Sequence, residues 1–192
     1  AEDAAFLMAA ADIGEAEQPL VNPVCLTPAL APAVAAAISG VTIDVNVFGQ
    51  AYRQLLRLHD VVLVEGVGGL AAPIWEDYLA VDLWAELSLP AIMVVRPNLG
   101  TINHSVLSAA YARQRQLPLT GIIINNWPVK PGVLETSNAV YIERLTGLPI
   151  FGKVPFVPEI SVPHAEAPRL AALANRYIDL DYITDKILRQ EA

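Results

Sequence analysis

The stretch Val61-Val62-Leu63-Val64-Glu65-Gly66-Val67-Gly68-Gly69 restricts the possible folds more than any other. It opens with four consecutive apolar residues, three of them β-branched. Such a run predicts a strand over 61–65 buried on both faces, as in parallel sheets. A carboxylate ends it, and glycines follow at once. Once buried, Glu65 needs a cation or hydrogen-bond donors to offset its desolvation. Open parallel sheets bind ligands at the carboxyl ends of their strands. Glycines there let a ligand approach backbone N–H groups closely. The plainer alternative is a strand that ends in a solvated acidic turn.

The remaining periodicity supplies elements for such a sheet. Helices are predicted over 3–11 and 31–39, the second closed by Gly40. Asp3 lies at the start of the first, where a carboxylate complements the helix dipole. Pro19, Pro23, Pro28 and Pro32 predict a largely extended connection. Asp44 is a candidate N-cap for a helix over 45–58, with Val45, Phe48, Tyr52, Leu55 and Leu56 on its apolar face. Residues 71–74 read as an extended loop, and 77–87 as a helix burying Leu79, Leu83, Trp84 and Leu87. Strands at 90–95, 119–125 and 149–155 are separated by a helix over 102–114 and by another that ends at Thr146. A long helix over 166–188 closes the chain. Alternation of this kind implies right-handed crossovers and an α/β fold, a parallel central sheet with helices on both faces. One domain over 1–192 is expected.

Hydrophobic residues make up 54% and charged residues 17%, which excludes a disordered chain. A net charge of −8 argues against a nucleic-acid or anionic-membrane partner, although backbone N–H groups could still hold a nucleotide. Cys25 is the single cysteine, so no intrachain disulfide framework exists, and a reducing, cytoplasmic location is expected. No run approaches the roughly 18 apolar residues of a membrane span, and no signal-peptide pattern occurs. The chain opens at Ala1 directly into a helix-like run, which leads to the expectation that an N-terminal portion is missing from it.

Candidate ligand residues follow the predicted strand ends: Glu65 to Gly69, Asn98 to Asn103, Asn125-Asn126, and Pro155-Phe156-Val157. Glu65 could hold Mg²⁺, an ion that prefers oxygen ligands and few protein contacts, with Asp3 as a second carboxylate. An asparagine amide offers a donor and an acceptor that suit the edge of a purine.

Val64-Glu65-Gly66-Val67-Gly68-Gly69 with Pro73, then Leu99-Gly100-Thr101-Ile102-Asn103-His104, resemble the dethiobiotin synthetase family. Gly121 to Asn126 and Gly152-Lys153-Val154-Pro155 continue the match in the same order, and Asp3-Ala4, Asn22-Pro23 and Leu30-Ala31-Pro32 precede it. The resemblance extends to about residue 160. It implies a P-loop NTPase-like, three-layer fold and an ATP- and Mg²⁺-dependent closure of a ureido ring on 7,8-diaminononanoate with CO₂ or bicarbonate. By resemblance, Asp3 and Glu65 are Mg²⁺ ligands. Glu65, Gly66, Val67, Gly68, Asn125, Asn126, Pro155, Phe156 and Val157 form the nucleotide site. Gly68, Leu99, Gly100 and Asn103 meet the substrate, the last three across a homodimer interface.

Departures from the family pattern are specific. No G-x-x-x-x-G-K-S/T string occurs in the chain, and the family's upstream Lys-Pro lysine is absent too, so no catalytic residue is assigned. Both features are expected in the missing portion, which would carry the P-loop strand and helix. Without it, the chain is expected to leave apolar faces and two strand edges uncovered and to be inactive. Ala31-Pro32-Ala33 stands where the family has Ser-Pro-His, and Val162 where it has a nucleotide-contacting acid.

Each feature also has a plainer role. Asp3, Asn103 and His104 could cap helices, and Asn125-Asn126 could form an ordinary turn. His59, His104 and His164 are expected to be structural, Trp75, Trp84 and Trp127 packing residues, and Cys25 a small buried hydrophobe. Two other functions fit less of the sequence. One is a non-catalytic nucleotide-binding or interaction domain. The other is a P-loop amide-forming ligase of the cobyrinate-synthase type, against which the Leu99 to His104 string counts.

Overall fold

The computed structural model describes residues 2–66, 68–166 and 168–188, in two compact units. One consists of Ala1–Leu87 with Ser161–Ala167, the other of Ser88–Ile160 with Pro168–Ala192.

In the first unit, α1 (Glu2–Ala11) buries Ala4 and Met8, with Glu2 and Asp3 in its first turn. The proline-punctuated stretch is not extended at its start. A 3₁₀ turn (Glu15–Glu17) leads into a short α2 (Gln18–Val21), where Pro19 occupies the first turn and its missing N–H costs nothing. Helix α3 (Pro32–Ser39) ends at Gly40, whose φ of 64° is the left-handed conformation that glycine adopts freely. Helix α4 (Asn46–Leu55) has Val45, not the expected Asp44, at its N-cap and stops short of residue 58, although Asp44 Oδ1 still accepts the Asn46 N–H at 3.0 Å just ahead of it.

Residues expected as a loop and a helix start instead make a small hairpin. Strand β1 (Pro73–Trp75) pairs antiparallel with β2 (Tyr78–Leu79), and Glu76 takes a positive φ in the turn. Helix α5 (Ala80–Leu87) begins only after it, with the Asp82 carboxylate accepting the Leu79 N–H at 2.8 Å. Ala36, Ile43 and Ile74 form the core here, packed by Phe48, Trp75 and Leu83. Cys25 is exposed, contrary to its expected burial, because it lies in the irregular connection between α2 and α3.

The predicted strand over 61–65 is absent. Residues 61–66 are irregular and pair with no strand among the described residues, and Leu63 is 92% exposed. A run of β-formers becomes a strand only when a ladder satisfies its N–H and C=O groups.

The second unit is the parallel sheet the sequence predicts, with order β3-β4-β5. Strand β3 (Ala91–Val95) leads to α6 (Thr101–Gln114), β4 (Leu119–Trp127) to α7 (Val133–Thr146), and β5 (Ile150–Pro155) follows. Ile122 and Ile124 of β4 are fully buried against Ala139 and Ile142 of α7. On the opposite face, Phe151 packs against Tyr182, their ring centroids 5.3 Å apart.

The C-terminal helix is broken, not continuous over 166–188. Helix α8 (Leu170–Tyr177) stops where Ile178 bridges Gly152 and the Asp179 N–H donates to the Phe151 carbonyl at 2.7 Å. A short α9 (Leu180–Ile183) and a π turn (Thr184–Leu188) follow. The outer edge of β5 draws the chain out of the helix, because an unpaired strand edge is a standing set of donors and acceptors. Gly152 makes the approach possible: a Cβ there would sit 2.4 Å from the Tyr177 carbonyl oxygen.

Candidate functional site

Past Val95, the chain must turn from a strand into a helix. Pro97 is buried, and Gly100 takes φ 93°, a left-handed conformation that strains any residue with a side chain. The turn closes when the Thr101 N–H donates to the Asn98 carbonyl at 3.2 Å, and the helical ladder begins with His104 N–H on the Gly100 carbonyl at 3.1 Å. Here a groove of about 460 Å³ opens, lined by Leu99, Gly100, Ile102, Asn103, Leu107 and Leu145 among others. Three residues predicted to meet substrate, Leu99, Gly100 and Asn103, therefore share one groove. Its walls are mostly apolar, and its polar end is the start of a fourteen-residue helix, where unpaired N–H groups favour an anion. Asn138 of α7 also lines it. No sequence motif had marked that residue.

Asn125 and Asn126 lie inside the last part of β4, not after it. The register shifts between Asn125, which faces Val154, and Trp127, which faces Pro155. Asn126 occupies the resulting bulge with φ 59°, and its N–H donates to Asn125 Oδ1 at 2.9 Å. That bond orients the exposed Asn125 amide. Pro155 ends β5 beside them, followed by exposed Phe156 and half-buried Val157. The carboxyl ends of β4 and β5 thus bring Asn125, Asn126 and Pro155 to one place. Trp127 packs on the α7 side, and Lys153 Nζ sits 4.8 Å from the centroid of its ring.

Glu65, Gly66 and Gly68 are exposed in the irregular segment of the first unit, and Val67 lies outside the described residues. Gly68 has φ 69°, a conformation that strains residues with a side chain, and a Cβ there would come within 3.3 Å of the Ala72 Cβ, so glycine suits the position. Asp3 is exposed on α1. Neither carboxylate has a hydrogen-bond or ion-pair partner among the described residues. No group of three or more His, Cys, Asp or Glu that could hold a metal occurs among the described residues. No contact among the described residues brings Asp3 and Glu65 together, so the chemistry they share with a Mg²⁺ site is limited to two exposed oxygen-donor side chains.

The histidines outside this region have structural partners. His59 Nε2 meets Glu17 Oε2 at 2.6 Å, and Ser161 Oγ lies 2.8 Å from His164 Nδ1. No helix among the described residues is long and apolar enough to cross a membrane.

Residues 2–164 match a family model described as an AAA domain. Among curated proteins, the ATP-dependent dethiobiotin synthetase of Bacillus licheniformis is 40% identical over 141 residues, 73% of this chain and 60% of that protein. The proteins of the same name from Halalkalibacterium halodurans and Bacillus subtilis are 41% and 38% identical over 140 and 141 residues. Those alignments cover 72% and 73% of this chain and 58% and 61% of the two relatives. The chain thus spans about three fifths of the length of the curated relatives it matches.

Proposed function

We propose that this chain, which belongs to the dethiobiotin synthetase family of AAA-domain proteins, serves the ATP-dependent closure of a ureido ring on 7,8-diaminononanoate. The observation that carries the reading is the shared groove of Leu99, Gly100 and Asn103 at the start of α6. The aliphatic part of the diamine suits walls such as Ile102, Leu107 and Leu145, and its carboxylate suits the helix start and the Asn103 amide.

In the proposed reaction, one amine adds to CO₂ and loses a proton, leaving a carbamate. A carbamate oxygen attacks the γ-phosphorus of ATP and ADP departs. The second amine then attacks the carbamoyl carbon, closing the ring and expelling phosphate. Such chemistry depends on positioning and charge neutralisation more than on covalent help. Asn125 would donate to the adenine edge, with Asn126 and Pro155 to Val157 lining the base. For Glu65, Gly66 and Gly68 the resemblance implies a phosphate role, and for Gly68 a carbamate role as well. Bound Mg²⁺, held by Asp3 and Glu65, would neutralise phosphate charge. The chain would act as one domain in a cytoplasmic homodimer, with the exposed Leu99, Leu107 and Leu145 near the subunit contact.

The experiment is an NMR titration with 7,8-diaminononanoate, in which the Gly100 and Asn103 signals are expected to move. If they stay still at saturating diamine, the substrate assignment is wrong. Because the chain contains no G-x-x-x-x-G-K-S/T string, the 192-residue polypeptide alone is expected to release no phosphate from ATP with diamine and bicarbonate. A second reading is a non-catalytic nucleotide-binding domain, in which the exposed Asn125 amide at the bulge of β4 would still read a base. ATP-dependent shifts at Asn125 without any diamine response would select it.

A further inference from the structure

The mouth of the groove is fastened by a buried amide that takes no part in the chemistry proposed above. Asn138, on α7, is 4% exposed. An amide so deeply buried is costly unless its hydrogens find acceptors. Nδ2 donates to the Pro97 carbonyl at 2.8 Å and to the Asn98 carbonyl at 3.2 Å. Both carbonyls lie beyond Val95, the last residue of β3 in the ladder with β4. The Asn98 carbonyl also accepts the Thr101 N–H that closes the turn. One side chain therefore clamps the two carbonyls from which Leu99, the left-handed Gly100 and the first turn of α6 are suspended.

The replacement chemistry is restrictive. Aspartate would aim a carboxylate at two carbonyls, and serine or alanine would leave at least one of them without its donor. Glutamine would overreach by a methylene in a packed site.

We infer that Asn138 is a positioning residue for substrate capture: through Pro97 and Asn98 it sets the direction of the first turn of α6, and so where Leu99, Gly100 and Asn103 face. The substrate half of this inference rests on the reading of the groove given above, whereas the clamp does not.

Three measurements on the 192-residue chain test it. In the unsubstituted protein, a scalar coupling across the hydrogen bond should link the Asn138 side-chain nitrogen to the Pro97 carbonyl carbon. Its absence overturns the clamp, whether or not any variant folds. In Asn138→Ser and Asn138→Asp, amide exchange at Thr101 and His104, whose N–H groups bond the Asn98 and Gly100 carbonyls, should quicken about tenfold, while Ile122 and Ile142 keep their protection. Unaltered exchange at Thr101 overturns the clamp as well. Finally, Asn138→Ser should weaken 7,8-diaminononanoate binding about tenfold and leave ATP-induced shifts at Asn125 in place. Undiminished diamine affinity with faster exchange would reduce Asn138 to a purely structural residue. If the unsubstituted chain ignores the diamine while coupling and exchange behave as stated, the substrate reading falls and the clamp stands.

Discussion

Two apolar runs of nearly the same composition meet opposite fates in this molecule. Gly121-Ile122-Ile123-Ile124 lies in the middle strand of a sheet, hydrogen-bonded to β3 on one side and β5 on the other. Val61-Val62-Leu63-Val64 pairs with nothing among the described residues, and three of its four side chains are exposed. Both runs carry three β-branched residues, so intrinsic preference does not separate them. What separates them is the supply of partners. The Ile122 face is covered by α7 and both edges of β4 are paired, whereas the Val61 run has neither cover nor ladder among the described residues. Composition proposes a strand; neighbours make one.

The sharpest test of this contrast is truncation. Ile122→Ala should cost about 3–4 kcal/mol in urea unfolding of the second unit, whereas Leu63→Ala should stay within about 0.5 kcal/mol. Comparable losses would break the comparison. The glycines repeat it at a slightly smaller scale. Gly152→Ala would force a Cβ to within 2.4 Å of a backbone oxygen, while a Cβ on Gly66 would meet nothing within 4 Å. The former should cost about 3 kcal/mol and the latter less than about 0.5 kcal/mol, read as shifts of the denaturation midpoint. Smaller still, Asp44→Ala removes the carboxylate at the start of α4 and should cost about 1 kcal/mol.

The smallest effect is confined to alkaline solution. Burial, reinforced by the negative charge of Glu86, pushes the Tyr78 phenol above its ordinary value. The unfolded chain then ionises first, near pH 10. Stability contributed by the neutral phenol is complete below that pH and declines as the pH rises beyond it. Tyr78→Phe should flatten that alkaline decline and leave the midpoint at pH 7 nearly unchanged. An equally steep decline in the variant would show that another group titrates there.

Much of the architecture was legible because its signals are local. Helices α3, α6 and α7 and strands β3 and β5 follow from periodicity and from punctuation by proline and glycine. The β1–β2 hairpin was not legible, since its strands of three and two residues are too short to show any period. Nor was the break at Ile178, because nothing in 170–188 announces that the edge of β5 will compete for its backbone. Among site residues, Leu99, Gly100 and Asn103 could be read from a contiguous string, and the structure places them on one groove. Asn138 could not, because its acceptors lie 41 and 40 positions away and an asparagine within a helix carries no local signature.

The sequence by itself determined where most helices run, which glycine closes α3, the parallel β3-β4-β5 pattern and the family to which the chain belongs. Each of these depends on residues a few positions apart, or on strings preserved in order. Tertiary structure alone decided that the Val61 run, alike in composition to the Ile122 run, would not become a strand. It also decided that the predicted C-terminal helix would break at a sheet edge, and that one buried amide would fasten the turn before α6. The reason is common to all three. A ladder, an edge and a buried donor are satisfied only by groups distant in sequence, and the cost of leaving them unsatisfied decides the outcome.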